Sequence, residues 1–149
     1  MPILAAALGV LGGVGGAYIG GTVANEGQEK ASEREQAAAD RALRRDAYSA
    51  FLGTAQEVYA VVLKNQDRMG TAEAKAEIDA AAVGLYPAQA RVDIVAKSAE
   101  VRDAAEAVRD ALVEDPDDSL EELEQPEDVY RKAAEKFRTV ARNDLEQTE

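Results

Sequence analysis

The chain has 149 residues, 29 acidic against 17 basic, a formal net charge of −12 at pH 7, and no Cys, His or Trp. These absences exclude disulfides, thiol nucleophiles, zinc–thiolate sites and imidazole acid–base chemistry. The charge argues against a partner that is nucleic acid, whose phosphates demand a basic surface.

The chain opens with Ile3–Ala24, twenty-two residues without a charge that hold most of its eleven glycines. A transmembrane helix needs about 20 mostly apolar residues, and this stretch meets that length with little to spare. The glycines repeat at helical spacing. Gly12, Gly16 and Gly20 lie four apart, as do Gly9 and Gly13, with Ala17 and Gly21 continuing the second row. On a helix these rows form a stripe of small residues where another helix backbone can approach closely. In water so many glycines would each cost a helix about 1 kcal/mol relative to Ala, whereas in lipid the backbone has nowhere else to place its hydrogen bonds. A retained anchor is the favoured reading. A cleaved signal peptide ending at Thr22-Val23-Ala24 is the rival, but Met1-Pro2 supplies no basic leader. A glycine-rich segment that stays in water is the third reading. The basic residues nearest the span, Lys30, Arg34, Arg41, Arg44 and Arg45, all follow it. They place the remainder of an anchored chain in the cytoplasm.

Residues 25–42 read as a charged helical stalk with few large apolar residues. Glu26/Lys30 and Asp40/Arg44 are spaced as i,i+4 ion pairs along it. From Leu43 the pattern changes to that of a bundle. Leu43, Ala47, Phe51, Ala55, Val58 and Val62 recur every three or four residues, with Tyr48, Leu52, Tyr59 and Leu63 as a neighbouring row. Gly70 reads as a stop and Thr71 as the cap of a second helix over about 72–83. Gly84 and Pro87 interrupt that helix. The apolar run that follows, with Val92, Ile94 and Val95, is expected to be helical; a short strand is the alternative, though no partner strand is apparent. Ser98 can cap a helix whose apolar residues are Val101, Ala104, Ala105, Val108 and Leu112, and Asp115-Pro116 stops it. The loop 114–128 carries nine acidic residues and no basic one. Pro126 suits the first turn of a last helix, reinforced by Glu127/Arg131 and Asp128/Lys132, with Val129, Tyr130, Ala133, Ala134, Phe137, Val140, Ala141 and Leu145 as its apolar residues.

The expected fold class is therefore all-α: a Gly-rich transmembrane anchor over 1–24, a stalk over 25–42, and a cytoplasmic bundle of about four helices over 43–149.

No pattern of chemistry emerges. A ferritin-like metal site needs Glu-x-x-His motifs, and there is no His. The acidic loop lacks the glycine and ligand spacing of a calcium-binding loop. Neither a P-loop nor a dinucleotide fingerprint occurs in a strand-to-helix context. Asp79 and Asp93 sit in apolar stretches, where the favoured reading is exposure or pairing with Lys75, Arg91 or Lys97. Tyr48 and Tyr59 read as core edges. No catalytic residue, cofactor or metal is expected.

Three segments carry a resemblance: "RRDAYSAFLGTAQEVY" from Arg44, "ARVDIVAKSAEVRDAAEAV" from Ala90 and "YRKAAEKFRTVARNDL" from Tyr130. With the Gly-rich opening they make the chain resemble small single-span, membrane-anchored helical proteins of actinobacteria and their phages. That group largely lacks assigned function. The resemblance implies an anchor and a cytoplasmic bundle, and no active-site residues. The glycine rows are also similar to glycine-zipper segments, which usually come as a pair of spans.

The function expected is a non-enzymatic, membrane-tethered interaction or scaffold module. Its partners would be membrane lipid, a further protein and a second copy through Gly9, Gly12, Gly13, Gly16 and Gly20. A phage or prophage membrane effector (a lysis accessory or exclusion protein) is the alternative, and a subunit of an enzyme with its catalytic residues elsewhere is the third. If the glycine stripe is a helix contact, Gly16→Ile should weaken crosslinking of the full-length chain by on the order of 1 kcal/mol in association, and Ala6→Ile should change little. Equal crosslinking of Gly16→Ile and the parent would reduce the stripe to composition.

Overall fold

The structure, a computed structural model, describes residues 9–113 and 126–147, with side chains over 28–113 and 127–147. Five α-helices follow in order: α1 Gly9–Lys64, α2 Ala72–Ala82, α3 Leu85–Val95, α4 Ala99–Val113 and α5 Pro126–Glu146, with a single 3-10 turn, Gln66–Arg68, after α1. Among the described residues there is no strand, so the run around Val92–Val95 is helical. The fold is an all-α helical bundle. Among the described residues no helix is long and apolar enough to cross a membrane. The expected anchor, Ile3–Ala24, lies only partly within them: residues 3–8 are not described, and from Gly9 onward only its helical backbone is. Most of the acidic loop 114–128 likewise falls outside the described residues.

The chain divides into two compact units, 1–40 and 41–149. In the first, every described side chain from Gln28 to Asp40 is exposed. This agrees with a segment that has charged and small residues on all sides and nothing to bury.

The second unit holds the core. Ala47, Tyr48, Phe51, Ala55 and Val58 of α1 are buried with Leu85 and Val92 of α3, Val101, Ala104, Ala105, Val108 and Leu112 of α4, and Tyr130, Ala134, Phe137 and Ala141 of α5. The centre is aromatic. The Phe51 and Phe137 rings lie 5.1 Å apart, and Tyr48 meets Phe137 edge-on at 5.9 Å, geometries that the ring quadrupole favours. Farther along the same pair of helices, Tyr59 stacks on Tyr130 at 4.3 Å. The buried face of α4 consists of the five residues that its periodicity predicts.

The helix boundaries follow local chemistry. At the end of α1 the Asn65 N–H donates to the Val61 and Val62 carbonyls. Gly70 has φ +90°, a left-handed conformation that turns the chain toward α2. The Thr71 hydroxyl then accepts from the Ala74 N–H at 3.2 Å as the α2 cap, and Ser98 caps α4 through the Val101 N–H at 3.3 Å. Gly84 and Pro87 interrupt the helix as expected, each in its own way. Gly84 keeps a helical φ of −69°; a Cβ there would meet Thr54 Cγ2 of α1 at 3.3 Å, so it admits a close helix approach. Pro87 lies in the first turn of α3, where a missing N–H breaks no intrahelical bond.

Four expected core residues are exposed: Leu43, Leu63, Ile94 and Val129. Leu43, 59% exposed, lost its place to Arg44. The buried row of α1 begins at Arg44 and runs through Tyr48 and Phe51, which rotates Leu43 off the face. Leu63 and Val129 lie one step outside the rows set by Val58 and Tyr130.

Phe137→Ala should destabilise the bundle by about 3–5 kcal/mol, because it leaves a cavity between Tyr48 and Phe51 that neither ring can fill. Leu43→Ala should cost less than about 0.5 kcal/mol. Urea unfolding followed by circular dichroism distinguishes these outcomes.

Candidate functional site

Three features of the second unit stand apart from ordinary core packing: two polar clusters and the outer face of α3.

The first cluster is built around Asp144. On α5 the buried residues Tyr130, Ala134, Phe137 and Ala141 advance by four, three and four positions, and the next step of three lands on Asp144. A carboxylate therefore takes a core position, fully buried. It is stabilised by three donors from two distant parts of the chain, α1 and the connection between α3 and α4. Arg44 Nη1 donates to Asp144 Oδ2 at 2.9 Å and to the Asp144 carbonyl at 2.7 Å. The Tyr48 hydroxyl donates to the same Oδ2 at 2.7 Å. The backbone N–H of Ser98, in the connection between α3 and α4, donates to Oδ1 at 3.0 Å. Arg102 braces that connection by donating to the Ala96 carbonyl at 3.0 Å.

This arrangement fixes the charge states. Burial pushes the Asp144 carboxyl upward, but the hydrogen bonds from Tyr48, Arg44 and Ser98 outweigh it and hold the group below the usual carboxylate range. Burial, followed by the hydrogen bond to Asp144 and its negative charge, pushes the Tyr48 phenol well above its ordinary value. The proton stays on Tyr48 and the charge on Asp144. Both carboxylate oxygens are occupied by donors, so the group is a strut between α1, α5 and the α3–α4 connection. Arg44 Nε is buried without a hydrogen-bond partner among the described residues. Arg44 is thus the member whose satisfaction depends most on Asp144.

A second cluster closes the C-terminal end of α1. Asn65 is fully buried; its amide donates to the Val61 carbonyl at 3.0 Å and to Glu77 Oε2 at 3.2 Å. Lys64 and Arg68 also bond to Glu77. The hydrogen bonds from Asn65 and Lys64 hold the Glu77 carboxyl below its ordinary value.

The outer face of α3 has a different character. Leu85, Gln89 and Val92 face the core. The six exposed residues are Tyr86, Pro87, Ala90, Arg91, Asp93 and Ile94, of which four are apolar. Ile94 is 82% exposed and Tyr86 54%, and Val83, just ahead of the helix, is 66% exposed. At 100° per residue Tyr86, Ala90 and Ile94 form one stripe, with Asp93 on one edge and Arg91 on the other.

Several expectations change. The i,i+4 pair Asp40/Arg44 gives way to Arg44–Asp144, because a buried guanidinium requires a buried carboxylate. At the start of α5, Arg131 pairs with Asp128 instead of Glu127. Tyr48 is a buried hydrogen-bond donor and not a core edge. Asp79 and Asp93 are exposed, as favoured. Among the described residues no group of acidic side chains could hold a metal ion. The glycines Gly9, Gly12, Gly13, Gly16 and Gly20 fall within the α1 backbone, with no side-chain environment described. Periodicity reasoning missed Arg44 and Asp144 because it counted only apolar residues, although both sit in register with them. No protein family, curated protein or solved structure matches the chain.

Asp144→Asn should destabilise the bundle by about 3–5 kcal/mol at pH 7, since it leaves Arg44 buried and uncompensated. Tyr48→Phe should cost about 1 kcal/mol. The carboxylate's contribution is fully present above the ordinary Asp range and is lost as pH falls through its lower native value. The contribution of Tyr48 is present below the ordinary tyrosine pKa of about 10 and fades as pH rises beyond it. Stability measured against pH should therefore fall on both sides, with the acid limb flattened in Asp144→Asn and the alkaline limb in Tyr48→Phe.

Proposed function

We propose that this protein is a non-enzymatic helical interaction module, held at the cytoplasmic face of a membrane by Ile3–Ala24. The observation that carries the reading is the outer face of α3. A helix with apolar residues on two sides has more apolar surface than contact with one core covers. α3 has one side in the core and the other, with Tyr86, Ala90 and Ile94, in solvent. Exposed clusters of this kind mark interaction surfaces. The polar groups of the bundle support the same reading. Asp144 and Asn65, its most deeply buried polar residues, are both committed to internal hydrogen bonds that tie helices together. The anchor rests on the length and flanks of the opening stretch.

The chain's lack of Cys allows a direct test, because a single introduced thiol reports on one place. Full-length chains carrying Ile94→Cys or, as an exposed control on α1, Glu57→Cys are treated with a membrane-permeant maleimide in the expressing cells. The thiol at 94 should react several-fold more slowly than the thiol at 57, and the protein should stay in the membrane fraction through alkaline carbonate. Equal labelling would contradict an interaction surface on α3. Release by carbonate, or a mature chain beginning near Asn25, would contradict the anchor.

A further inference from the structure

The geometry points to a second copy of this chain as the occupant of the α3 face, packed in parallel so that Arg91 of each copy meets Asp93 of the other. This inference rests on reading that face as an interaction surface. It comes from the two charges that border the stripe. Arg91 and Asp93 are exposed, and neither forms an ion pair among the described residues. They flank the apolar stripe on opposite edges at nearly the same height, two residues apart, or about 3 Å of helix rise.

That placement makes the stripe its own complement in one orientation. When two identical helices pack face to face in parallel around a twofold axis, the left edge of one lies beside the right edge of the other. Arg91 then faces Asp93 of the second copy, twice per pair. In the antiparallel arrangement equal edges meet, so Arg91 approaches Arg91 and Asp93 approaches Asp93. Like-charge juxtaposition disfavours that packing. The apolar stripe supplies the attraction, and the flanks select the orientation.

The size of the face indicates how the pairing works. α3 has eleven residues, about 16 Å of helix. A contact of this length buries less than the roughly 1,000 Å² that a stable free association needs. The pairing is therefore one between tethered copies, which anchoring at a shared surface supplies as a raised effective concentration.

Parallel pairing places each stripe residue opposite its own number. Full-length chains with Tyr86→Cys, Ala90→Cys or Ile94→Cys should each form a disulfide-linked dimer when membranes from the expressing cells are treated with a mild thiol oxidant, and Glu57→Cys should not. In the Ala90→Cys chain, Arg91→Glu should reduce dimer yield roughly tenfold, because it sets acid against acid on both edges. Adding Asp93→Arg should restore it, an outcome that a general loss of folding cannot produce. Dimer from the central position alone, without 86 and 94, would overturn the parallel arrangement. A thiol at 94 that is shielded from maleimide yet yields no dimer would overturn self-pairing while leaving the interaction surface occupied by another molecule. A thiol at 94 that is neither shielded nor crosslinked would overturn both readings.

Discussion

The bundle depends on one buried charge. Asp144 gives up water, a cost of several kcal/mol that only close partners can offset. The partners are a guanidinium, a phenol and a backbone N–H, drawn from α1 and from the α3–α4 connection. Apolar packing alone is tolerant: Ala-rich helices can slide or rotate against one another with little change in buried area. The three donors to Asp144 are directional. They fix the register of α5 against α1 at the same level where Tyr48 meets Phe137, and they hold the connection from which α4 starts. α3 is thereby placed with Leu85 and Val92 inward, and its other side is left in solvent.

That outward side is the basis of the proposed interaction role. A bundle optimised only for stability in water would place charged residues at positions 86, 90 and 94. Tyr, Ala and Ile stand there instead, bordered by one charge of each sign. Polar interior residues fix the frame, and apolar exterior ones leave it unfinished. The second feature is a reason to expect association, and the first keeps the associating surface in one shape.

Much of the architecture was legible in the sequence. Periodicity locates α4 and its buried face residue by residue, and Thr71, Ser98 and Pro126 mark helix starts through capping and the lack of a proline N–H. The helical state of Val92–Val95 followed from the absence of a partner strand. What was not legible depends on tertiary contact. Ile94 looked like a core residue because hydropathy cannot tell the side of a helix that meets neighbours from the side that meets solvent when both are apolar. Arg44 looked like half of a local ion pair because an acid, Asp40, stood at the right spacing. Its actual partner is 100 positions away, and no local rule reaches that far.

The most direct test of the central claim is a double-mutant cycle between Arg44 and Asp144 in the full-length chain, read as unfolding free energy at pH 7. If Asp144 is the strut described, Arg44→Met and Asp144→Leu should each destabilise by about 3–5 kcal/mol, and the double variant should lose clearly less than the sum of the two, since two apolar side chains leave no charge stranded and only the Tyr48 hydroxyl and the Ser98 N–H lack their acceptor. Additive losses in the double variant would contradict the account and show that the two residues stabilise the bundle independently.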